Sequence, residues 1–269
     1  MTAAIRLVQI TDTHLLDAPD GDVRGVATLP ALRAVLARAA ADIAAADAVL
    51  VTGDVVHDEP RAYEHFRREF RSLGKPVLCI PGNHDDPAAM RTALAAPPFQ
   101  VGGHVDFGAW RIVLLDSVIP GAAGGRLAAA ELERLERALA GAGPRHVLVC
   151  LHHHPVAMSS AWLDEIGLEN AAEFFAIVER SPRARAIAWG HVHQALEQQR
   201  GGLRLLATPS TCTQFLPQAP TFAVDTRPPG YRMLQLAADG GIASEVVWLD
   251  RFAAPAGWPE ASASSCSAA

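Results

Sequence analysis

Short apolar runs alternate along this chain with Ala/Leu/Arg-rich segments of helical period, and that alternation limits the fold more than any other feature. Ile5 to Ile10, Ala48 to Thr52 and Pro76 to Ile80 are strand candidates, followed by Trp110 to Leu115, His146 to Leu151 and Arg185 to Trp189. These runs are too continuously apolar for half-solvated strands and read as strands buried on both faces. Between them lie Leu29 to Ala46, Arg61 to Ser72, Ala88 to Leu94, Ala128 to Ala140 and Glu169 to Glu179. In PALRAVLARAAADIAAA the Leu, Val and Ile residues fall three and four apart, as on an amphipathic helix. Such alternation predicts an α/β fold.

The last third reads differently. Leu203 to Ala207, Thr221 to Val224, Arg232 to Ala237 and Ile242 to Leu249 are strand-like and separated by Pro/Gly turns, with ADGG at Ala238 to Gly241 as a hairpin signal. A second sheet packed on the first is expected from them. Residues 1–252 are expected to form one domain. The small, polar tail 253–269 is expected to be disordered.

The chain carries 23 basic and 29 acidic residues, a formal net charge of −6, with no dense Lys/Arg tract. A duplex nucleic-acid partner therefore has little electrostatic support. No apolar stretch approaches the roughly 18 residues of a membrane span, and the opening MTAAIRLVQITDTH lacks a secretory pattern. The cysteines show no CxxC pairing, and Cys79 and Cys150 sit inside apolar runs, which suits a reducing compartment. A cytoplasmic location follows as the expectation.

The chemistry gathers where the apolar runs stop. QITDTH offers Asp12 and His14, VLVTGD offers Asp54, and VLCIPGNHD offers Asn83, His84 and Asp85. VLVCLHHHP offers His152, His153 and His154, and AWGHVH offers His191 and His193. In extended chain, residues i and i+2 share a face, so each DxH or HxH pair can address one centre. Taken singly, each pattern is as well explained by a turn or a surface histidine. Together they occupy the carboxyl ends of strands, where open α/β sheets build their sites. Mixed N/O donors without cysteine suit Fe, Mn or Zn better than a closed structural zinc site. His57, His65, His104 and His146 fall outside this pattern and are expected to be bystanders.

In order and spacing, DTH…GD…GNHD…HH…GHVH resembles the calcineurin-like metallophosphoesterases over about Ile5 to His193. QITDTHL, PGNHD, LHHHP followed by WLD, GHVHQ, LLATPSTCTQF and FAVDTRPPGYRML further resemble the bacterial 3′,5′-cyclic AMP phosphodiesterases of the CpdA type. The resemblance implies a four-layer α/β/β/α sandwich. It implies that Asp12, His14 and His193 hold one divalent ion and that Asn83, His191 and a histidine of LHHHP hold another. Asp54 would bridge the two, which are expected to be Fe2+ or Mn2+, or else Zn2+. Gapless alignment of LHHHP favours His152, and strand alternation would turn His153 away and return His154 to the site.

A hydroxide shared by the two ions would attack phosphorus in line and release 5′-AMP. His84, polarised by Asp85, would stabilise the phosphate and protonate the 3′ oxygen. His14, Asn83, His84 and His154 would contact the substrate. Val156 to Trp162 and Ser210 to Phe215 are expected to bear on specificity. A small cyclic nucleotide is the expected partner, and monomer and dimer both accord with the sequence. The runner-up is a phosphodiesterase for a 2′,3′-cyclic nucleotide or a glycerophosphodiester. A silent metal-binding or nucleotide-sensing module would have no need of an acid beside the donors. A serine hydrolase lacks its GxSxG.

Overall fold

The computed structural model describes residues 4–250. Strands β1 (Ile5–Ile10), β4 (Ala48–Thr52), β5 (Val77–Ile80) and β6 (Phe99–Val101) run parallel to their neighbours. A hairpin of β13 (Gly230–Leu236) and β14 (Ile242–Trp248) joins them antiparallel at β1, so this six-stranded sheet runs β14-β13-β1-β4-β5-β6. In the second sheet β8 (Trp110–Leu114), β9 (His146–Cys150), β10 (Ala184–Trp189) and β12 (Leu203–Ala207) are parallel. Antiparallel β7 (Gly103–Phe107) and β11 (Leu196–Arg200) close its two edges. A small hairpin, β2 (Asp22–Val23) with β3 (Val26–Ala27), stands apart from both.

Period-two alternation on doubly buried strands sorts the side chains into three cores. Leu7, Leu50, Leu78, Ile112, Leu148, Ala188 and Leu206 meet between the sheets. The alternate residues Val8, Val51 and Cys79 face α1 (Thr28–Arg38), α2 (Ala40–Ala45), α3 (Tyr63–Arg71) and α4 (Pro87–Ala93) through Leu32, Ile43, Phe66 and Met90. On the far side Val113, Val149 and Ile187 face α5 (Ala129–Ala140), α6 (Ala161–Asp164) and α7 (Ala171–Val178) through Leu135, Leu163 and Phe174. Helices, sheet, sheet, helices: the layering is α/β/β/α.

The last third does not build a sheet of its own. β12 extends the parallel run beside β10, while β13 returns to cover the open edge of β1. Thr221 to Val224 forms no strand; Val224 makes only an isolated bridge to Phe215. Pro217 and Pro220 remove backbone donors just ahead of it. The helix expected over Leu29 to Ala46 breaks at Ala39, after which Ile43 is the buried residue of α2. Five strands escape a pattern search, among them the two-residue β2 and β3. β6 has only three residues, β7 is half-exposed, and β11, LEQQR, is an edge strand whose outer residues face water. The expected tail at 253–269 lies outside the described residues.

Candidate metal centre

Parallel strands of both sheets finish at one edge of the sandwich. Asp12 and His14 follow β1, Asp54 follows β4, Asn83 and His84 follow β5, His152 follows β9, and His191 and His193 follow β10. All are buried except Asn83 and His84, which are partly exposed.

Strand alternation is not what makes them converge. Asp12, His14, Asp54, His191 and His193 all lie beyond their strands with φ between 45° and 65°. The left-handed region costs a non-glycine residue on the order of 1–3 kcal/mol and tends to persist at functional sites. Five of these neighbouring residues share it, so the donors are gathered by strained turns.

The donors fall into two groups that meet at Asp54. In one, His193 Nε2 lies 3.0 Å from His14 Nε2 and 3.4 Å from Asp12 Oδ1, and His14 Nε2 lies 3.7 Å from Asp54 Oδ2. In the other, His152 Nε2 lies 3.2 Å from Asn83 Oδ1, 3.2 Å from His191 Nδ1 and 3.4 Å from Asp54 Oδ2.

Backbone carbonyls set the tautomers, because a carbonyl can only accept. His193 Nδ1 donates to Thr213 O at 2.6 Å, His152 Nδ1 to Thr52 O at 2.8 Å, and His191 Nε2 to Ile166 O at 3.1 Å. Each of these rings therefore turns a lone pair inward, toward carboxylate oxygens and other lone pairs. Such outer partners commonly orient metal-bound histidine. A cluster of acceptors at this spacing is repulsive unless a cation sits among them. The site fits divalent metal on that ground. Without a cation among the donors a proton takes that place on His152: burial opposes its charge, yet the Asp54 carboxylate outweighs burial and holds the ring pKa up at about 9. That is the same demand for positive charge.

Glycines let the two halves close. A Cβ on Gly190 would stand 2.1 Å from Thr11 Oγ1, the hydroxyl that donates to Asp12 Oδ2. A Cβ on Gly82 would stand 2.2 Å from Asp54 Oδ1 and 2.4 Å from the Asp54 backbone nitrogen. Gly82→Ala is therefore expected to displace Asp54 and lower kcat about 100-fold, the scale of an ångström-sized misplacement. Steady-state rates and metal analysis of the variant check this.

The rim corrects one assignment. Asp85 does not orient His84. Its carboxylate points into the protein, where it accepts from the backbone nitrogens of Gly82, Val55 and Val56 and from the Tyr63 hydroxyl. Burial and the charge of Asp54 push its pKa up to about 6. The chain turns between residues 84 and 85 to bury that carboxylate, and adjacency in sequence is lost in space. The carboxylate beside His84 is Asp58, whose Oδ2 lies 3.1 Å from His84 Nδ1. His57 stacks on His84 with centroids 4.4 Å apart and places its Nδ1 3.1 Å from His14 Nδ1. His57, expected as a bystander, thus joins the rim, and Asp58 carries no strand-end signal, although GDVVHD holds both within four positions of Asp54.

His154 also departs from expectation. β9 ends at Cys150 and the chain then bends, so alternation does not carry through LHHHP. His153 packs inside against Ser117, with Nδ1 2.8 Å from its hydroxyl. His154 lines a separate cavity with Asp164, Glu165 and Glu169, and its ring stacks on the donor His191 with centroids 5.6 Å apart, so it backs the centre without entering the opening above the donors. Burial pushes its pKa down to about 4. His65 binds Asp17 O, His104 lies on β7 and His146 neighbours Arg185, all outside the centre.

The family model for calcineurin-like phosphoesterases matches residues 5–195, which contain every donor named above. The chain belongs to this family. As a calcineurin-like phosphoesterase it is 41% identical to the 3′,5′-cyclic adenosine monophosphate phosphodiesterase CpdA of Pseudomonas aeruginosa, over 92% of this chain and 91% of that protein. The Escherichia coli K12 protein of the same name is also 41% identical, over 91% of this chain and 90% of its own length. Among solved structures, a dimetal phosphatase from Danio rerio shares the fold of this phosphoesterase. Its TM-score is 0.63 at 15% identity, with 93% of this chain and all of that one covered.

Proposed function

We propose that the protein is a metal-dependent phosphodiesterase that hydrolyses 3′,5′-cyclic AMP to 5′-AMP. The observation that carries the chemistry is the inward set of lone pairs, locked by three backbone carbonyls and centred on Asp54. The substrate class rests on the cyclic AMP phosphodiesterases to which the chain is similar over about nine-tenths of its length.

Asp12, His14 and His193 would hold one divalent ion and Asn83, His152 and His191 a second, with Asp54 between them. Bound there, such ions supply an activated water at neutral pH and offset negative charge on the phosphoryl oxygens. Nitrogen and oxygen donors without thiolate favour Fe2+ or Mn2+, with Zn2+ also compatible. His84 stands at the rim of the opening, where its imidazolium can hold a phosphoryl oxygen and give its proton to the departing 3′ oxygen. Asp58 faces the other ring nitrogen and orients the ring. His14 and Asn83 also line the opening and would border the substrate.

Both sheets contribute donors to one centre, which supports reading residues 1–252 as one domain. Cys79, Cys150 and Cys212 are buried and free, which supports a cytoplasmic setting. Among the described residues no helix is long and apolar enough to cross a membrane.

Turnover by Mn2+- or Fe2+-loaded protein tests the reading against 3′,5′-cyclic AMP, 3′,5′-cyclic GMP, 2′,3′-cyclic AMP and methyl p-nitrophenyl phosphate. Release of 5′-AMP with the highest kcat/KM for 3′,5′-cyclic AMP is expected. Turnover of the simple diester alone would leave a phosphodiesterase but remove the cyclic AMP assignment.

A further inference from the structure

One wall of the opening above the metal donors is aromatic, and a cation stands over its rim. Phe215 lies flat on the His193 ring, 4.0 Å away at 5°. Trp162 meets Phe215 edge-on at 5.3 Å and Phe222 at 5.2 Å, and Phe215 meets Phe222 at 5.4 Å. The three rings thus lead from a metal donor out to solvent. Phe222 is 40% exposed, an unusual position for a large apolar ring in this protein.

The cation is Arg24. It sits at the tip of the β2–β3 hairpin with φ 54°, followed by Gly25 at 82°. Two-residue hairpin tips of this kind favour Asn-Gly or Asp-Gly, because both positions are left-handed. Arginine there breaks the local preference, and such outliers point toward a use for the side chain. The hairpin is anchored on the loop that carries Phe215: Val26 and Ala31 pack on Cys212, and Thr213 Oγ1 donates to Val23 O at 3.4 Å. The Arg24 guanidinium lies 4.1 Å above the centre of the Phe222 ring. Among the described residues no carboxylate pairs with it. It also lines the opening together with His57, His84 and Trp162.

We propose that Arg24 and Phe222 are the two jaws of a nucleobase clamp, closed on each other in the free protein and parted by an inserted purine. The base would take over the face of Phe222 now covered by the guanidinium, and Arg24 would stack on its other side. Trp162 and Phe215 form the inner wall that carries the ribose toward the metal donors. Guanidinium and aromatic planes are both stacking partners for any base, so the clamp favours large purines without reading their edges. This rests on the cyclic nucleotide reading above and adds the residues that make the substrate a nucleotide.

Two measurements on Arg24→Ala and Phe222→Ala in the metal-loaded protein separate the clamp from that reading. The first is kcat/KM for 3′,5′-cyclic AMP divided by kcat/KM for methyl p-nitrophenyl phosphate, which has no base. Stacking on the scale seen for single bases predicts that Phe222→Ala lowers this ratio roughly 10- to 100-fold. Arg24→Ala should lower it in the same direction, and Phe222→Trp should retain it. A ratio that stays constant in both alanine variants overturns the clamp, whether both rates hold or both fall together. The second compares binding of 5′-AMP and ribose 5-phosphate by calorimetry, with no turnover involved. The parent protein is expected to bind 5′-AMP more tightly, and the alanine variants to narrow that gap. An unchanged gap also overturns the clamp. If the parent protein hydrolyses only the simple diester while the gap closes in the variants, the cyclic AMP reading fails and the clamp stands.

Discussion

Replacing Asp54 with alanine is expected to abolish measurable turnover and to empty both halves of the centre together. Its carboxylate is within reach of both donor sets, 3.4 Å from His152 Nε2 and 3.7 Å from His14 Nε2. Removing it leaves two sets of inward lone pairs with less negative charge to hold cations. Loss of an outer hydrogen-bond partner typically costs about 10- to 100-fold in metal affinity, and loss of a shared ligand should exceed that. Elemental analysis after gel filtration, together with kcat, gives the result. Two ions retained per chain would show that Asp54 is not shared. The fold should survive, since Asp54 contributes to no apolar core.

His84→Ala should separate chemistry from metal binding. The ring sits at the rim, partly exposed, and its backbone nitrogen rather than its ring contacts Asp54, at 2.9 Å. General acid help is worth about 10²- to 10⁴-fold, so kcat should fall by that order while metal content stays at the parent level. Asp58→Asn should follow in the same direction with a smaller loss, because Asp58 acts through His84 and is open to water. Asp85→Ala should behave differently. It removes the acceptor for four buried donors, those of Gly82, Val55, Val56 and Tyr63, and unmet buried donors cost about 1–3 kcal/mol each. A lowered thermal midpoint marks that variant. Loss of both metals in His84→Ala would move His84 among the ligands.

The parts of this architecture that can be read along the chain are those governed by burial. Val8, Leu50, Val149 and Ile187 belong to runs apolar on both faces, and such runs need cover on both sides, which leads directly to strands inside layers. Edge strands lack that signature: LEQQR of β11 spends most of its side chains in water. The donor types and their place after strands are equally visible, since Asp, Asn and His interrupt otherwise apolar sequence. Their convergence is not visible. It depends on left-handed backbone at Asp12, His14, Asp54, His191 and His193, a conformation that Asp and His adopt more readily than most residues but that no periodicity along the chain announces. The same blindness explains Asp85 and His154. A bend at residues 84–85 turns Asp85 from the centre, and one at 152–153 sets His154 behind His191 instead of in the opening, while Asp58 and His57 arrive from another loop.

Two cations held in the centre would share Asp54 within one field of fixed lone pairs. The electron paramagnetic resonance spectrum of the protein loaded with Mn2+ addresses it most directly. An exchange-coupled pair is predicted at two Mn2+ per chain, giving way to no bound pair in Asp54→Ala. A spectrum of isolated Mn2+ at one ion per chain, unchanged by that substitution, would contradict the account.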